Sequence, residues 1–413
     1  MTHGRDGFSL ARGVMNARRV AAGAVMTLAA VVGLTSASFA AGGLGETVVV
    51  TNSGGQLAGS VSTFNAGTKK NIKPNAKITN ADISFFGSAV PALDVLAGVN
   101  VNPTLGPGSA NVTYVLSNLS VLGGPDVLSG FAAGATGNST AVVGTITFTD
   151  PGSGVLVVPL SKPQDLDFAL SHTGVGPEAV GTGDVFVSNW TGGEGGLGSV
   201  IHFPHDVGTV ANPLGLILNP FGPVPPEIPA LVLQDSTLSP TNPFGCPAGV
   251  STNLLGPVGV RLDSLNHIWV VNSGFGGAFP SYVTEYAPGS FGCTPPINVI
   301  GLGTLINGAF LAIDPEGDLW VTDTTQNAVF EFAPDGTLLT EIAGKNTKMR
   351  SPMGIAIGTT GGTEDVLVAN NIGGGILEFE NADDGGFLNI HATSRLQGAR
   401  TGLNQPVGIA IVP

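Results

Sequence analysis

A short run of β-branched and aromatic residues that ends in asparagine or aspartate recurs along the chain. Two of the clearest copies are His267–Asn272 and Asp318–Asp323, whose last residues lie 51 positions apart. Runs of this composition, bounded by Gly, Asn and Asp, are typical of β-strands. A spacing of about 50 residues is typical of a repeated four-stranded unit, and wider spacings earlier in the chain require insertions. The residues that end the copies are Asn52, Asn118, Asn189, Asn272, Asp323 and Asn370.

A second apolar run, usually opened by proline, alternates with the first. Proline suits the first residue of a strand, because its missing N–H costs no ladder hydrogen bond there. A glycine close behind it lets neighbouring backbones approach each other. We interpret this run as the inner strand of each unit. The copies are Pro257–Asp263, Pro352–Ile357 and Pro406–Ile411, a variant Gly308–Asp314, and the weaker Pro91–Leu96 and Pro163–Phe168.

The two runs are offset along the chain. The first recognisable strand is a second strand, Thr47–Asn52, and the last is an inner strand, Pro406–Val412. A ring in which the last strand completes the first unit explains both ends and leaves no open sheet edge. The sequence therefore predicts an all-β fold, a six-bladed β-propeller closed by the C-terminal strand.

One unit also resembles a known family. Gly308–Gly336 has an inner strand, a turn at Asp314–Gly317, the strand Asp318–Asp323 and the hairpin partner Val329–Phe332, and it is similar to an NHL repeat. The resemblance implies a single six-bladed propeller over residues 41–413. It extends loosely to a wider group that contains gluconolactonase-like hydrolases and streptogramin lyase-like enzymes.

The N-terminal segment predicts export. Four arginines precede an apolar run from Val20 to about Leu34, and small residues lead up to Ala40. This arrangement indicates a signal peptide over residues 1–40, because the apolar run is shorter than the ~20 residues of a spanning helix. We expect a periplasmic or extracellular protein with no membrane span after cleavage. In such a compartment Cys246 and Cys293 are expected to form a disulfide, the alternative being two buried thiols.

The charge of the chain narrows the class of partner. The formal net charge is −14, and removal of the predicted signal peptide, with four arginines and one aspartate, makes it −17. Such a surface repels phosphate backbones, so we expect no nucleic-acid partner. A monomer is expected.

The Asn/Asp residues that end the second strands are the most regular polar feature. They either cap the turn that leaves each strand or form a ring of oxygens that also binds a ligand. No cofactor is expected, although such a ring could hold a structural divalent ion.

No catalytic or metal site is predicted. The resemblance to gluconolactonase-like hydrolases implies metal ligands at the entrances of the inner strands, where this chain has mostly apolar residues and Asn307 alone fits the pattern. Those positions are Ala92, Gln164, Val258, Ala309, Met353 and Val407. His202 and His205 flank Pro204, which argues against both rings facing one metal.

We therefore expect a binding or scaffolding module for a protein, glycan or small ligand. The alternative is a hydrolase or lyase acting on lactone-like substrates. Carboxylates and histidines at the mouth of the channel would favour the enzyme, whereas an apolar or amide-lined mouth would favour binding.

Overall fold

The computed structural model describes the chain in segments that include most of the second half. They are residues 47–52, 59–65, 71–79, 82–85, 88–91, 96–102, 112–117, 126–131, 136, 143–146, 160–169, 171–174, 180–191, 196–203, 231–234, 246–247, 249–360, 363–380, 382 and 385–412. Asn118, His205 and the predicted signal peptide lie outside the described residues.

The described strands form six sheets, which we number as blades in chain order, and one extra ladder of two strands. Their strands pair antiparallel, except that β25 pairs parallel with β21. The strands are β1 (Thr47–Asn52), β2 (Ser60–Asn65), β3 (Ala76–Thr79), β4 (Asp82–Phe85), β5 (Ser88–Pro91), β6 (Leu96–Asn102), β7 (Val112–Ser117), β8 (Val127–Phe131), β9 (Val143–Ile146), β10 (Pro163–Phe168), β11 (Val185–Asn189), β12 (Ser199–Phe203), β13 (Leu231–Leu233), β14 (Pro257–Leu262), β15 (Ile268–Asn272), β16 (Tyr282–Tyr286), β17 (Asn298–Ile300), β18 (Gly308–Ile313), β19 (Leu319–Asp323), β20 (Ala328–Phe332), β21 (Leu338–Ile342), β22 (Pro352–Thr360), β23 (Thr363–Asn370), β24 (Gly375–Glu380), β25 (Gly386–Leu388), β26 (Ser394–Gln397) and β27 (Pro406–Val412). A short helical turn, Gly274–Gly277, follows β15.

Each blade runs outwards from one inner strand. Blade one is β27-β1-β2-β3, blade two β6-β7-β8-β9, blade three β10-β11-β12-β13, blade four β14-β15-β16-β17, blade five β18-β19-β20-β21-β25 and blade six β22-β23-β24-β26. The inner strands contact one another in the ring order β6, β10, β14, β18, β22, β27 and back to β6. This arrangement is an all-β six-bladed β-propeller, and it confirms the fold predicted from the sequence.

The C-terminal strand closes the ring. Strand β27 pairs antiparallel with β1, with Ala410 opposite Val49 and Ile409 opposite Val50. Ile409 and Val50 are both buried. The predicted closure is therefore confirmed, and blade one is built from both ends of the described chain.

The inner strand of blade two differs from the predicted one. It is Leu96–Asn102, whereas Pro91 ends β5 and pairs with Asp82 in the extra ladder. Gly98 explains the choice, because a Cβ at this position would lie 2.7 Å from the backbone of Asp165 in blade three. Only a glycine at that point lets these two inner strands come so close.

Every inner strand has an irregular start. The register against the second strand shifts within the first few residues of all six inner strands. Such bulges bend a strand and increase its local twist.

The core lies between the blades. The second strands β11, β15 and β19 are buried along their whole length, since each has a neighbour on both edges and a blade on both faces. Trp320 and Phe332 are among the largest fully buried side chains. Burial of one such side chain contributes about 1.5–3 kcal/mol.

The segment between blades three and four is tied to both blades. Its predicted outer strand is present as β13, which pairs with β12. Cys246 and Cys293 form a disulfide with a Cα–Cα distance of 5.2 Å, as expected from the sequence. Leu233 also forms a bridge with Gly292, next to Cys293. Among the described residues, no helix has the length and apolar character of a membrane span.

Candidate functional site on the channel wall

Two positions of each inner strand face the next inner strand around the propeller axis. Counted from the first residue of each strand, they are the third and the fifth. At the third position, a Cβ on Gly259 would lie 3.0 Å from the carbonyl oxygen of Ala309, and one on Gly354 would lie 2.5 Å from that of Val407. The third positions are Gly98, Asp165, Gly259, Phe310, Gly354 and Gly408, and the fifth are Asn100, Asp167, Arg261, Ala312, Ala356 and Ala410. We call these twelve residues the channel wall.

The channel wall is chemically divided. Blades two, three and four supply Asn100, Asp165, Asp167 and Arg261, which we call the polar sector. Blades five, six and one supply alanine at the fifth position and glycine or phenylalanine at the third. The charged and amide side chains of the wall therefore lie in one half, and the other half has buried apolar side chains and glycine.

Arg261 spans the junction between blades three and four. Its Nη1 donates hydrogen bonds to Asp165 Oδ2 at 2.6 Å, to its neighbour's carbonyl Val260 O at 2.6 Å and to Leu166 O at 3.4 Å. Asp165 Oδ2 also accepts from the amide of Val260 at 3.2 Å. The guanidinium is thus fixed by one carboxylate and two carbonyl groups, which is a rigid arrangement for an arginine.

Asp167 lies beside this pair. Its Oδ2 accepts from the backbone N–H of Leu262 at 2.7 Å, and its Oδ1 accepts from Asn100 Nδ2 at 2.7 Å. Asp167 therefore links the side chain of Asn100 in blade two to the backbone of blade four. Asp167 is half-buried, whereas Asp165 is 1% exposed and its Oδ1 has no hydrogen-bond partner among the described residues.

Burial governs the protonation of these groups. It raises the pKa of Asp165 to about 7, and the neighbouring Arg261 only partly offsets it. Burial also raises the pKa of Asp167, although the positive charge of Arg261 lowers it in part. Burial alone would lower the pKa of Arg261, but Asp165 and Asp167 together raise it. The arginine is therefore charged, while Asp165 exchanges its proton near neutral pH.

Five of the six Asn/Asp residues predicted as a ring belong to the described residues, and these five are buried and bonded to the chain that enters their own blade. Each accepts a hydrogen bond from the backbone N–H of the residue that stands two before the inner strand. These pairs are Asn52 with Asn404 (2.5 Å), Asn189 with Ser161 (3.1 Å), Asn272 with Leu255 (2.8 Å), Asp323 with Ile306 (2.7 Å) and Asn370 with Arg350 (2.6 Å). In blade two Ser117 occupies this strand position, opposite Leu96. Binding of a ligand or ion by these residues stays a prediction.

Three hydroxyl groups that the sequence interpretation missed join neighbouring blades. Thr322 Oγ1 accepts from the amide of Phe310 in its own blade and donates to Met353 O of the next blade at 2.6 Å. Ser188 and Thr51 make the corresponding bonds to Val258 O at 2.7 Å and Ala97 O at 2.9 Å. The available signal was a Ser or Thr immediately before the terminal Asn or Asp of the second strand.

An aspartate that accepts a hydrogen bond from a tryptophan indole occurs at equivalent positions of blades four and five. In blade four Asp263 Oδ2 lies 2.9 Å from His267 Nδ1 and accepts from the indole of Trp269. In blade five Asp314 accepts from Trp320 Nε1 at 3.0 Å, and burial raises its pKa to about 6. Each group has three potential metal ligands, completed by Glu285 in blade four and by Asp318 and Glu331 in blade five.

His202, considered in the sequence as a metal ligand, is buried. Its Nε2 lies 2.7 Å from Asp184 Oδ2, and its ring stacks on Phe186 with centroids 4.3 Å apart.

The entrance positions of the inner strands are Ala97, Gln164, Val258, Ala309, Met353 and Val407, with Ala97 in place of the predicted Ala92. Ala97, like Ala92, offers no side-chain metal ligand.

Comparisons with known proteins support the fold. No model of a protein family matches the chain, and no curated protein matches it in sequence. A chain in the crystal structure of the nidogen/laminin complex is similar at 11% identity and a TM-score of 0.50, over 89% of this chain and 99% of that one. The class of protein is thus a six-bladed β-propeller.

Two further solved structures are similar at lower scores. A protein of unknown function from Bacteroides caccae has 10% identity and a TM-score of 0.49, over 89% of this chain and 98% of that chain. A catalytically inactive virginiamycin B lyase from Staphylococcus aureus with quinupristin has 12% identity and a TM-score of 0.41, over 76% of this chain and 73% of that chain. At these identities the similarity concerns the fold alone.

Proposed function

We propose that the chain is an exported β-propeller, built of NHL-type repeats, that binds a small polar ligand at its channel wall. The observation that carries this proposal is that the charged and amide side chains of the wall all lie in blades two, three and four. A propeller does not need a charged group at the fifth position, because that position is alanine in three blades. Ligand sites commonly combine a few fixed polar groups with an otherwise apolar lining.

The mouth of the channel favours binding over catalysis. The residues immediately before the described inner strands of blades three to six and one are Lys162, Gly256, Asn307, Ser351 and Gln405. No carboxylate or histidine occurs among them. Asp323, near the mouth in blade five, is fully buried and accepts several hydrogen bonds from the chain.

A hydrolase or lyase of lactone-like substrates remains the second candidate. Asp165 and Asp167 are two neighbouring carboxyl groups, and burial raises the pKa of Asp165 to about 7, which suits proton transfer near neutral pH. However, Asp165 is 1% exposed, so a substrate would have difficulty reaching it. This is why we place binding first.

Export is supported by the predicted signal peptide over residues 1–40 and by the disulfide Cys246–Cys293. A disulfide is typical of oxidising compartments. N-terminal sequencing of the protein released by its host should begin at Ala41. Recovery of the protein with residues 1–40 attached would contradict this part of the proposal.

A thermal-shift panel tests the binding function. The panel contains sugars, amino acids, dipeptides, carboxylates and lactones, and each compound is also assayed for turnover. We expect at least one class to raise the melting temperature of the wild type without turnover. Asp167→Ala should reduce that shift, whereas Arg395→Gln, in an outer strand of blade six, should not. A panel without any stabilising compound, or lactone turnover lost in Asp167→Ala, would overturn the proposal.

A further inference from the structure

The polar sector has hydrogen-bond donors and hydrogen-bond acceptors that the described residues do not use. A guanidinium has five N–H donors, and in Arg261 only Nη1 bonds to the described residues. The Arg261 side chain is 14% exposed, and its Nε and Nη2 make no hydrogen bond to the described residues. Asp167 accepts hydrogen bonds from Asn100, Leu262 and Phe168, and a carboxylate has about four acceptor sites.

These two groups are neighbours on the wall. Asp167 and Arg261 both occupy the fifth position, in the adjacent strands β10 and β14. The Asp167 carboxylate accepts from the backbone N–H of Leu262, the residue after Arg261, so a carboxylate and a guanidinium form a row of two opposite charges on neighbouring strands. Beyond Arg261, the same level continues with Ala312, Ala356 and Ala410.

From this row, and resting on the proposed binding function, we propose that the ligand is a zwitterion of the α-amino acid class. Its carboxylate binds the Nε/Nη2 edge of Arg261, and its ammonium group binds Asp167. Its side chain lies towards the alanine half of the wall. A planar guanidinium edge matches a carboxylate with two parallel hydrogen bonds, which lysine cannot reproduce.

A ligand with a single charge fits the row less well. A lone anion at Arg261 would lie beside Asp167 in a chain whose net charge is already −14. A lone cation at Asp167 would lie beside the guanidinium of Arg261. A zwitterion places an opposite charge against each of these groups and so avoids both repulsions.

Asp165 acts in this scheme as a positioning residue. It is buried, so it does not reach the ligand, but its Oδ2 holds Arg261 Nη1 at 2.6 Å. That contact uses the Nη1 corner of the guanidinium and leaves the opposite edge for the ligand. The preorganised edge loses less rotational freedom when a carboxylate binds.

Isothermal titration with defined probes tests the ligand class. The zwitterions are glycine, L-alanine and L-leucine, the single-charge probes are propylamine and propionate, and the neutral probe is N-acetylalanine methylamide. We expect at least one zwitterion to bind, and each single-charge or neutral probe to bind at least tenfold more weakly. Arg261→Lys and Asp167→Asn, whose folding is checked by circular dichroism, should each weaken the zwitterion at least tenfold, while Arg395→Gln leaves it unchanged.

The outcomes separate this inference from the proposed function. If propylamine or propionate binds as tightly as the zwitterions, the amino-acid class is wrong although the channel still binds a ligand. The same holds if a sugar or lactone from the thermal-shift panel binds and no zwitterion does. If Arg261→Lys retains full affinity, the guanidinium edge is not the carboxylate site. If no compound of any class binds, the proposed function fails with it.

Discussion

The buried carboxyl group of Asp165 should make the stability of the protein fall as the pH rises towards neutrality. Burial raises its pKa from 3.8 to about 7 in the folded protein. In the unfolded chain the group regains its ordinary pKa. The folded state therefore binds the proton more tightly, and this contribution is fully present below pH 3.8 and lost as the pH passes through about 7. A tenfold difference in proton affinity is worth about 1.4 kcal/mol, so the whole effect is on the order of 4 kcal/mol.

The variant Asp165→Asn isolates this effect, because its amide keeps an acceptor for Arg261 and does not titrate. Urea unfolding of both proteins at pH 4.5, 6 and 8 gives the difference in their free energies of unfolding. We expect Asn to cost stability at pH 4.5 and to cost progressively less, or to stabilise, at pH 8. Asp335→Asn, in an exposed turn, serves as the control and should show no such trend. A difference between wild type and Asp165→Asn that is constant across the three pH values would refute the reasoning.

Three further predictions concern the fold. Deletion of residues 406–412 removes the strand that closes the ring and several buried apolar side chains, each worth about 1.5–3 kcal/mol; a melting temperature within a degree or two of wild type would exclude this closure. Gly354→Ala places a Cβ 2.5 Å from Val407 O, and we expect a loss of about 1–3 kcal/mol in urea unfolding, whereas unchanged stability would mean that these strands are further apart. Alkylation of folded protein without reductant should add no label to Cys246 or Cys293 by intact mass, and two labels would exclude the disulfide.

The repeats in the sequence were sufficient to predict the blades and the closure. The second strand of each blade needs a hydrogen-bonded strand on both of its edges, so the first second strand, β1, requires the last inner strand, β27. The prediction failed where a turn-like signal competed with packing. Pro91 looks like the start of an inner strand, yet Leu96 begins it, since Gly98 is the residue that tolerates the close approach of blade three. Proline marks where a strand can start, whereas the glycine marks where two strands must touch.

The polar sector was visible in the alignment of the copies but was not recognised. Asp165 and Asp167 stand where Pro352–Ile357 and Pro406–Ile411 have glycine and alanine. Within the inner strands, the family resemblance concerns only the entrance positions, which do not include Asp165 and Asp167. Moreover, the ion pair joins residues 96 positions apart, and strand periodicity does not tell which faces of two blades meet. That contact required the register of the ring.

Repetition within the chain offers a physical criterion for separating structural from functional polar groups. Asp263 and Asp314 occupy equivalent positions and both accept from a tryptophan indole, so the fold itself accounts for them. The Asn and Asp side chains at the ends of the second strands likewise make the same bond in five of the described blades. Arg261 and Asp167 have no such counterparts, and alanine meets the packing requirement at their position elsewhere in the ring. Burying charges that packing does not require is costly, and recognition of a ligand is the advantage that we infer in return.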